Sequence, residues 1–291
     1  MRKEVQSVRQ LIVYADMEGA SGIFDRSKEA CRHAEMYPGG TLWREYGRAC
    51  ITSDVLAVCE AAADFGIDDI LLYDAHYAGC AEHNVMLEKL PEKVRVFDVP
   101  NREFHWRRIR GQAEWEPYGI VTVGQHARFG EPDAYFAHTI QSPPIKAFWV
   151  NQKHIAEIGT AVLSFRGTPF LANIGCAASH REAKELASTV SCITVKDKRR
   201  GWEPSPQETY PLIYSGVLDA LQKAGEKLPA LMDGACRCSM ELTEGFRFAA
   251  PESIPWKGSF AERTAVWEAP YFEMAMELFN EVRACIVSEQ S

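Results

Sequence analysis

The sequence predicts an α/β fold: a mostly parallel central sheet with flanking helices, followed by a smaller α+β C-terminal part. Three observations carry that prediction. Through the first two thirds of the 291 residues, short apolar runs rich in β-branched residues alternate with helical patterns, the rhythm of βαβ units. The runs are continuous rather than alternating, as suits strands covered on both faces. The composition, 46% hydrophobic and 25% charged, is that of a globular chain. At this length roughly three quarters of the unfolded surface can be buried.

Residues 11–14, Leu-Ile-Val-Tyr, read as the first strand. Between residues 43 and 65, Ile51, Val55, Val58, Ala62 and Phe65 recur at steps of four and three and share one helical face. Gly66 is the natural residue to close that helix. Further strands are predicted at 70–73, 94–99, 120–123, 148–151 and 170–173, with helices at 155–165 and 179–188. The charged stretch from Lys196 to Arg200 runs into Gly201 and two prolines, and reads as an exposed loop rather than a site for acidic ligands. A soft boundary there divides an α/β domain, 1–198, from a smaller α+β domain, 199–291. Beyond it a helix at 206–224, strand-like segments at 238–248 and 261–267, and a final helix with Ala275, Phe279, Val282 and Ile286 on one face complete the pattern.

Charge and cysteine usage narrow the function. With 32 basic and 40 acidic residues the net charge is −8, which argues against nucleic acid as a partner. Nine cysteines, scattered and without a CxxC pair, fit a reducing cytoplasm better than a disulfide scaffold. Neither a secretory leader nor a run of the ~20 apolar residues needed to span a membrane is expected. No P-loop or dinucleotide fingerprint occurs.

Ionisable residues cluster where apolar runs end: Asp16-Met-Glu18-Gly after the first strand, Asp74-Ala-His76 after the second, and Gly124-Gln-His126 after 120–123. In an open α/β sheet, ligands bind beyond the carboxyl ends of the strands. In extended chain, residues i and i+2 point the same way, so Asp16 with Glu18, and Asp74 with His76, are expected to converge. Carboxylates gathered out of water repel unless a cation lies between them, and carboxylate with imidazole is a donor set for Zn²⁺ or a similar ion. A bridging carboxylate can hold two such ions, which suggests a dinuclear hydrolytic site.

The run Val13-Tyr-Ala-Asp-Met-Glu-Gly-Ala-Ser-Gly22 resembles the opening of peptidase family M55, the dinuclear zinc D-aminopeptidases, whose pattern is a strand entering Asp-x-Glu-Gly-x-Ser-Gly. Tyr73-Asp-Ala-His76, Gly124-Gln-His-Ala-Arg128, Ala137-His138 and Val150-Asn-Gln-x-x-x-Ala-Glu157-Ile-Gly resemble its later motifs, in the same order. The likeness spans about residues 11 to 190. It implies Asp16, Glu18, His76, His126 and Glu157 as ligands of two Zn²⁺ per subunit, with Asp16 bridging. It implies His138 as the catalytic histidine, acting as nucleophile, proton shuttle or oxyanion stabiliser. It also implies an aminopeptidase cleaving N-terminal residues from short peptides or amino-acid amides, with D-specificity open, and a homo-oligomer, a decamer in the family.

Departures lie close to the motifs: Tyr14 and Tyr73 replace a usual Ser and Asn, and Ala137 replaces a Ser. They leave the ligand set intact and bear on substrate choice. The rival readings are another dinuclear amidase or phosphoesterase, and a non-catalytic, metal-stabilised binding protein. Asp74 is expected to orient His76 or assist substrate, and Arg128 to meet an oxyanion or a substrate carboxylate, or to form an ion pair. His33, His83, His105, His154 and His180 read as surface or loop histidines, and Cys236 and Cys238 as a buried same-face pair.

Overall fold

A computed structural model describes residues 9–25, 42–76, 83–97, 117–165, 167–249 and 251–289. His33, His105 and the end of the strand expected at 94–99 lie outside them. In chain order the elements are β1 (Gln10–Ala15), α1 (Arg48–Phe65, entered through a π-helical turn at Trp43–Gly47), β2 (Asp69–Asp74), β3 (Val94–Val96), β4 (Gly119–Gln125), β5 (Ile145–Val150) and β6 (Lys153–Ile155). There follow α2 (Glu157–Ser164), β7 (Phe170–Cys176), α3 (His180–Leu186), β8 (Ser191–Lys196) and α4 (Pro206–Gln222). The chain ends with β9 (Cys236–Leu242), β10 (Phe246–Phe248), β11 (Gly258–Phe260), β12 (Thr264–Ala269), α5 (Phe272–Ala284) and β13 (Ile286–Ser288).

Six strands form a parallel sheet in the order β3-β2-β1-β4-β7-β8. The continuous apolar runs have the predicted cause, burial on both faces. Along β1, Leu11, Val13 and Ala15 pack with Val55 of α1 and Val217 of α4, while Ile12 and Tyr14 join Phe148, Trp267 and Phe279 on the other side. Gly66 closes α1 in the left-handed region at φ 88°, its N–H reaching the Ala62 and Ala63 carbonyls. A capping box between Ser205 and Glu208, with Pro206 in the first turn, starts α4.

A second, antiparallel sheet runs β11-β12-β9-β5-β6. The strand expected at 148–151 belongs here, not to the parallel sheet. It is not buried throughout: Lys146 is half-buried and Trp149 is 38% exposed. Three bulky apolar residues in a row, Phe148, Trp149 and Val150, conceal a period of two. Thus β5 and β6 join a sheet otherwise built from residues after 198, while α4 packs beside α1 on one face of the parallel sheet.

Two other expectations are corrected. The segment 238–248 is two strands parted by a turn at Gly245, φ 84°, and 261–267 lies across the turn between β11 and β12. Ser191–Lys196, not anticipated as a strand, is the edge strand β8, and its last residue, Lys196, is fully buried rather than part of a solvated loop.

Candidate metal centre

The C-terminal ends of β1, β2 and β4 lie side by side, because all three strands are parallel neighbours. The chain after β1 crosses directly over the end of β4. Asp16 N–H donates to the Val123 carbonyl and Gly19 N–H to the Gly124 carbonyl, each at 2.8 Å. No side chain fits at that crossing: a Cβ on Gly19 would stand 1.9 Å from the Gln125 carbonyl oxygen, and one on Gly124 2.1 Å from that of Asp16. Two glycines thus let Glu18 and His126 approach one another.

Asp16, Glu18, His76 and His126 are all buried there, at 4, 2, 9 and 3% exposure. His76 Nδ1 lies 2.8 Å from Glu18 Oε2 and 3.3 Å from Asp16 Oδ1. His126 Nε2 lies 3.3 Å from Asp16 Oδ2 and 3.2 Å from Oε1 of Glu157, the first residue of α2. His138 Nε2 stands 3.7 Å from Glu18 Oε1 and 3.5 Å from Glu157 Oε1, its ring stacked on that of His126 at 3.7 Å between centroids. All six residues implied by the resemblance therefore meet in one place.

Two groups of donor atoms lie within 4.8 Å of one another: Asp16, Glu18 and His76, and Glu18, His126 and His138. Asp16 offers one oxygen to His76 and the other to His126, and Glu18 divides its oxygens between His76 and His138 in the same way. Both carboxylates, not Asp16 alone, span the two halves.

The electrostatics call for positive charge. Burial raises the Asp16 carboxyl to about 6, and the charge of Glu18 adds to that push. Burial pushes Glu18 and Glu157 the same way, but the imidazoles beside them prevail and hold both below the usual carboxylate range. Burial would lower His76 and His126; Glu18 and Glu157 respectively outweigh it and raise both well above the usual histidine range. Asp16 Oδ2, His126 Nε2 and Glu157 Oε2 are buried without a hydrogen-bond partner among the described residues. Orphaned oxygen and nitrogen atoms converging on one space are what divalent ions satisfy. The His126 ring is held ready to ligate, since its Nδ1–H donates to the Ala127 carbonyl at 2.9 Å and so turns the Nε2 lone pair inward.

The family model of the D-aminopeptidases, peptidase family M55, matches residues 10–281. The chain belongs to the M55 D-aminopeptidase family. As a member of it the protein is an aminopeptidase of the metallo-peptidase class. No curated protein sequence gives a significant match. Among solved structures, the Zn-dependent D-aminopeptidase DppA from Bacillus subtilis, described as a self-compartmentalizing protease, superposes with a TM-score of 0.73 at 20% identity, over 94% of this chain and 98% of that one. That likeness establishes a shared fold. The M55 match also reaches past residue 190, where the sequence resemblance is confined to the rhythm of elements.

Two expected helpers of the M55 site have other occupations. Asp74 accepts hydrogen bonds from the backbone N–H of Asn84 and Val85 and from the Asn84 amide at 2.9 Å. The same Asn84 amide also donates to the His76 carbonyl, so Asp74 steadies His76 through Asn84. Arg128 makes a two-pronged ion pair with Glu185 at 2.7 and 2.8 Å and donates to the His154 carbonyl, the structural ion pair among its expected roles. Tyr14 and Tyr73, the two departures, are register partners whose rings pack 4.9 Å apart in the core.

Of the other histidines, His180 is no loop residue: it joins Asn173 to Thr194, and burial lowers its pKa to about 4. His154 stacks on Trp149, and His83 approaches Asp74. One contributor has no sequence signal. Glu182 of α3, 2% exposed, accepts the N–H groups of Ala156 and Gly159 at 2.7 and 2.8 Å and so caps the helix that begins with Glu157. Burial raises its carboxyl to about 7. A glutamate so far along the chain from the helix it caps is visible only in three dimensions.

Proposed function

We propose that this chain is a dinuclear zinc aminopeptidase that removes N-terminal residues from short peptides or amino-acid amides. The observation that carries the reading is the pair of donor groups sharing Glu18. Asp16, Glu18 and His76 would hold one ion, and Glu18, His126 and Glu157 the other, with Asp16 and Glu18 reaching both. Zinc as the metal is supported by the donor set and by the zinc dependence stated for DppA. When bound, two such ions supply Lewis acidity toward a scissile carbonyl and make hydroxide available near neutral pH.

The chain's own groups do the rest. His138 Nδ1–H donates to the Phe136 carbonyl at 2.8 Å, so the Nε2 lone pair faces Glu18 and Glu157. That is the atom that accepts a proton from the attacking water and returns it to the leaving amine. Stacking on His126 and 8% exposure fix the ring in that aspect. His138→Ala is expected to abolish turnover with both metals retained.

Homo-oligomeric assembly is supported by the self-compartmentalizing description of DppA. Cytoplasmic residence is supported by the free thiols at all seven described cysteines. No helix among the described residues is long and apolar enough to cross a membrane.

The test is a substrate panel of D- and L-aminoacyl amides, short peptides with free or acetylated amino ends, and phosphoesters, run with zinc-loaded and chelated protein. Hydrolysis of free-amine substrates alone, lost on chelation and restored by Zn²⁺, is expected. Turnover confined to phosphoesters, or turnover that survives chelation, contradicts the reading.

A further inference from the structure

Lys196, the last residue of β8, is 0% exposed, and its surroundings are specific to a cation. Its Nζ donates to the Glu18 carbonyl at 2.7 Å and to the Ile23 carbonyl, two points on the segment that follows β1. Three aromatic rings complete the enclosure: Phe24 at 5.6 Å, Tyr135 at 5.4 Å and Phe136 at 5.2 Å from the ammonium. An ammonium out of water is costly unless carbonyl oxygens and ring faces replace its hydration, and here both do.

These partners belong to two separate stretches of chain. Residues 18–24 carry Glu18, the carboxylate common to both donor groups. Residues 135–136 lead into His138, whose Nδ1 is anchored on the Phe136 carbonyl. One cation therefore grips the loop bearing the shared carboxylate by its backbone and the loop bearing the histidine by its rings. The segment after Lys196 reinforces the second grip: Lys198 donates to the Ala134 carbonyl at 3.0 Å, and Glu203 accepts the Tyr135 hydroxyl at 2.9 Å.

We propose that Lys196 is a positioning residue that holds the Glu18 loop and the His138 loop in mutual register through its two carbonyl bonds and its aromatic enclosure. The inference rests on the dinuclear reading above. Lys196 does not touch the donor atoms; it acts through the backbone that presents them. Loss of such supporting contacts typically weakens metal binding by about 10–100-fold.

The experiment compares wild type, Lys196→Met, Lys196→Arg and Lys257→Met, measuring Zn²⁺ affinity by competition with a chromophoric chelator and kcat and KM on one aminoacyl amide. Methionine keeps the length and bulk but loses charge and donors. Lys196→Met is expected to weaken Zn²⁺ binding by roughly 10–100-fold and to lower zinc-saturated kcat at least tenfold with KM within threefold. Arginine, retaining charge and donors, is expected to recover part of both losses, and Lys257→Met, on the far antiparallel sheet, to match wild type.

A folded Lys196→Met protein with Zn²⁺ affinity and kcat within twofold of wild type overturns the proposal, even if it melts lower. If Lys196→Met does not fold, Phe136→Leu, which removes one ring and keeps the backbone carbonyl, decides instead. A threefold or greater loss of Zn²⁺ affinity is expected, and an unchanged affinity overturns the proposal. Failure of the dinuclear reading is separate: wild type itself would then bind fewer than two zinc ions per chain.

Discussion

At the C-terminal edge of the parallel sheet, Asp16, Glu18, His76 and His126 are buried within a few ångströms of one another, whereas the buried positions of the antiparallel sheet include Cys236, Cys238, Met240, Ala265 and Trp267. Both regions exclude water. The second does so by alternation along β9 and β12, with apolar residues inward and Arg237, Glu241 and Glu268 outward or near the surface. The first gathers buried carboxylates and imidazoles and leaves Asp16 Oδ2, His126 Nε2 and Glu157 Oε2 without a hydrogen-bond partner among the described residues. Burial in one region adds stability, and in the other is sustained by what binds there. Residues of the two regions should therefore separate stability from function.

The largest effect falls on activity. Asp16→Ala removes an oxygen from each half of the metal centre and should cut kcat/KM by roughly a thousandfold or more, the loss of several kcal/mol of Lewis-acid stabilisation. The metal-free variant should melt no lower than metal-free wild type, because a buried carboxylate has been removed. Steady-state assays paired with calorimetry of chelated protein check both halves. A large stability loss in the metal-free state would place the two regions on the same footing.

Trp267→Ala should show the reverse pattern. The ring is 1% exposed, stacks on Phe148 at 5.6 Å and donates to the Ala275 carbonyl, and truncating such a side chain costs about 3–5 kcal/mol. Zinc affinity of the remaining folded protein should be unchanged. Chemical denaturation and metal competition measure the two quantities independently.

A smaller effect concerns Asp54 of α1, which is 0% exposed and accepts the Ser21 N–H at 2.9 Å beneath the Glu18 loop. Burial raises its carboxyl to about 6, above the usual value of 3.8. The folded state then holds a proton that the unfolded chain releases, so the stabilising contribution is full below about pH 4 and is lost as pH rises through about 6. Asp54→Asn should remove this dependence, gaining on the order of 2–3 kcal/mol relative to wild type between about pH 4 and 7. Parallel stability curves for the two proteins would contradict the assignment. The smallest effect is expected for Lys257→Met, which breaks an exposed pair with Glu268 and should change stability by less than about 1 kcal/mol.

The same division explains what is legible in the sequence. The parallel strands and the groups at their ends are local: an apolar run stops and a chemical residue follows, as at Asp16, His76 and His126. Glu157 and His138 open a helix and sit in a loop, with no local mark, and only the family resemblance singles them out. Lys196 and Glu182 act across the fold, through carbonyls and a helix start far away in sequence, so one reads as a solvated charge and the other carries no mark at all. Asp74 acts on His76 through Asn84, a partner ten residues further along the chain that the sequence does not point to. Trp149 in β5 reads as part of the parallel sheet because alternation is invisible in an all-apolar run.

The central claim is that this edge holds two ions through shared carboxylates. The direct measurement is metal content per chain, by anomalous scattering from crystals of zinc-loaded wild type and of His76→Ala. Two ions are predicted in wild type, flanked by His76 on one side and by His126 with Glu157 on the other, and only the second ion in His76→Ala. A single ion in wild type, or two ions undisturbed by loss of His76, would contradict it.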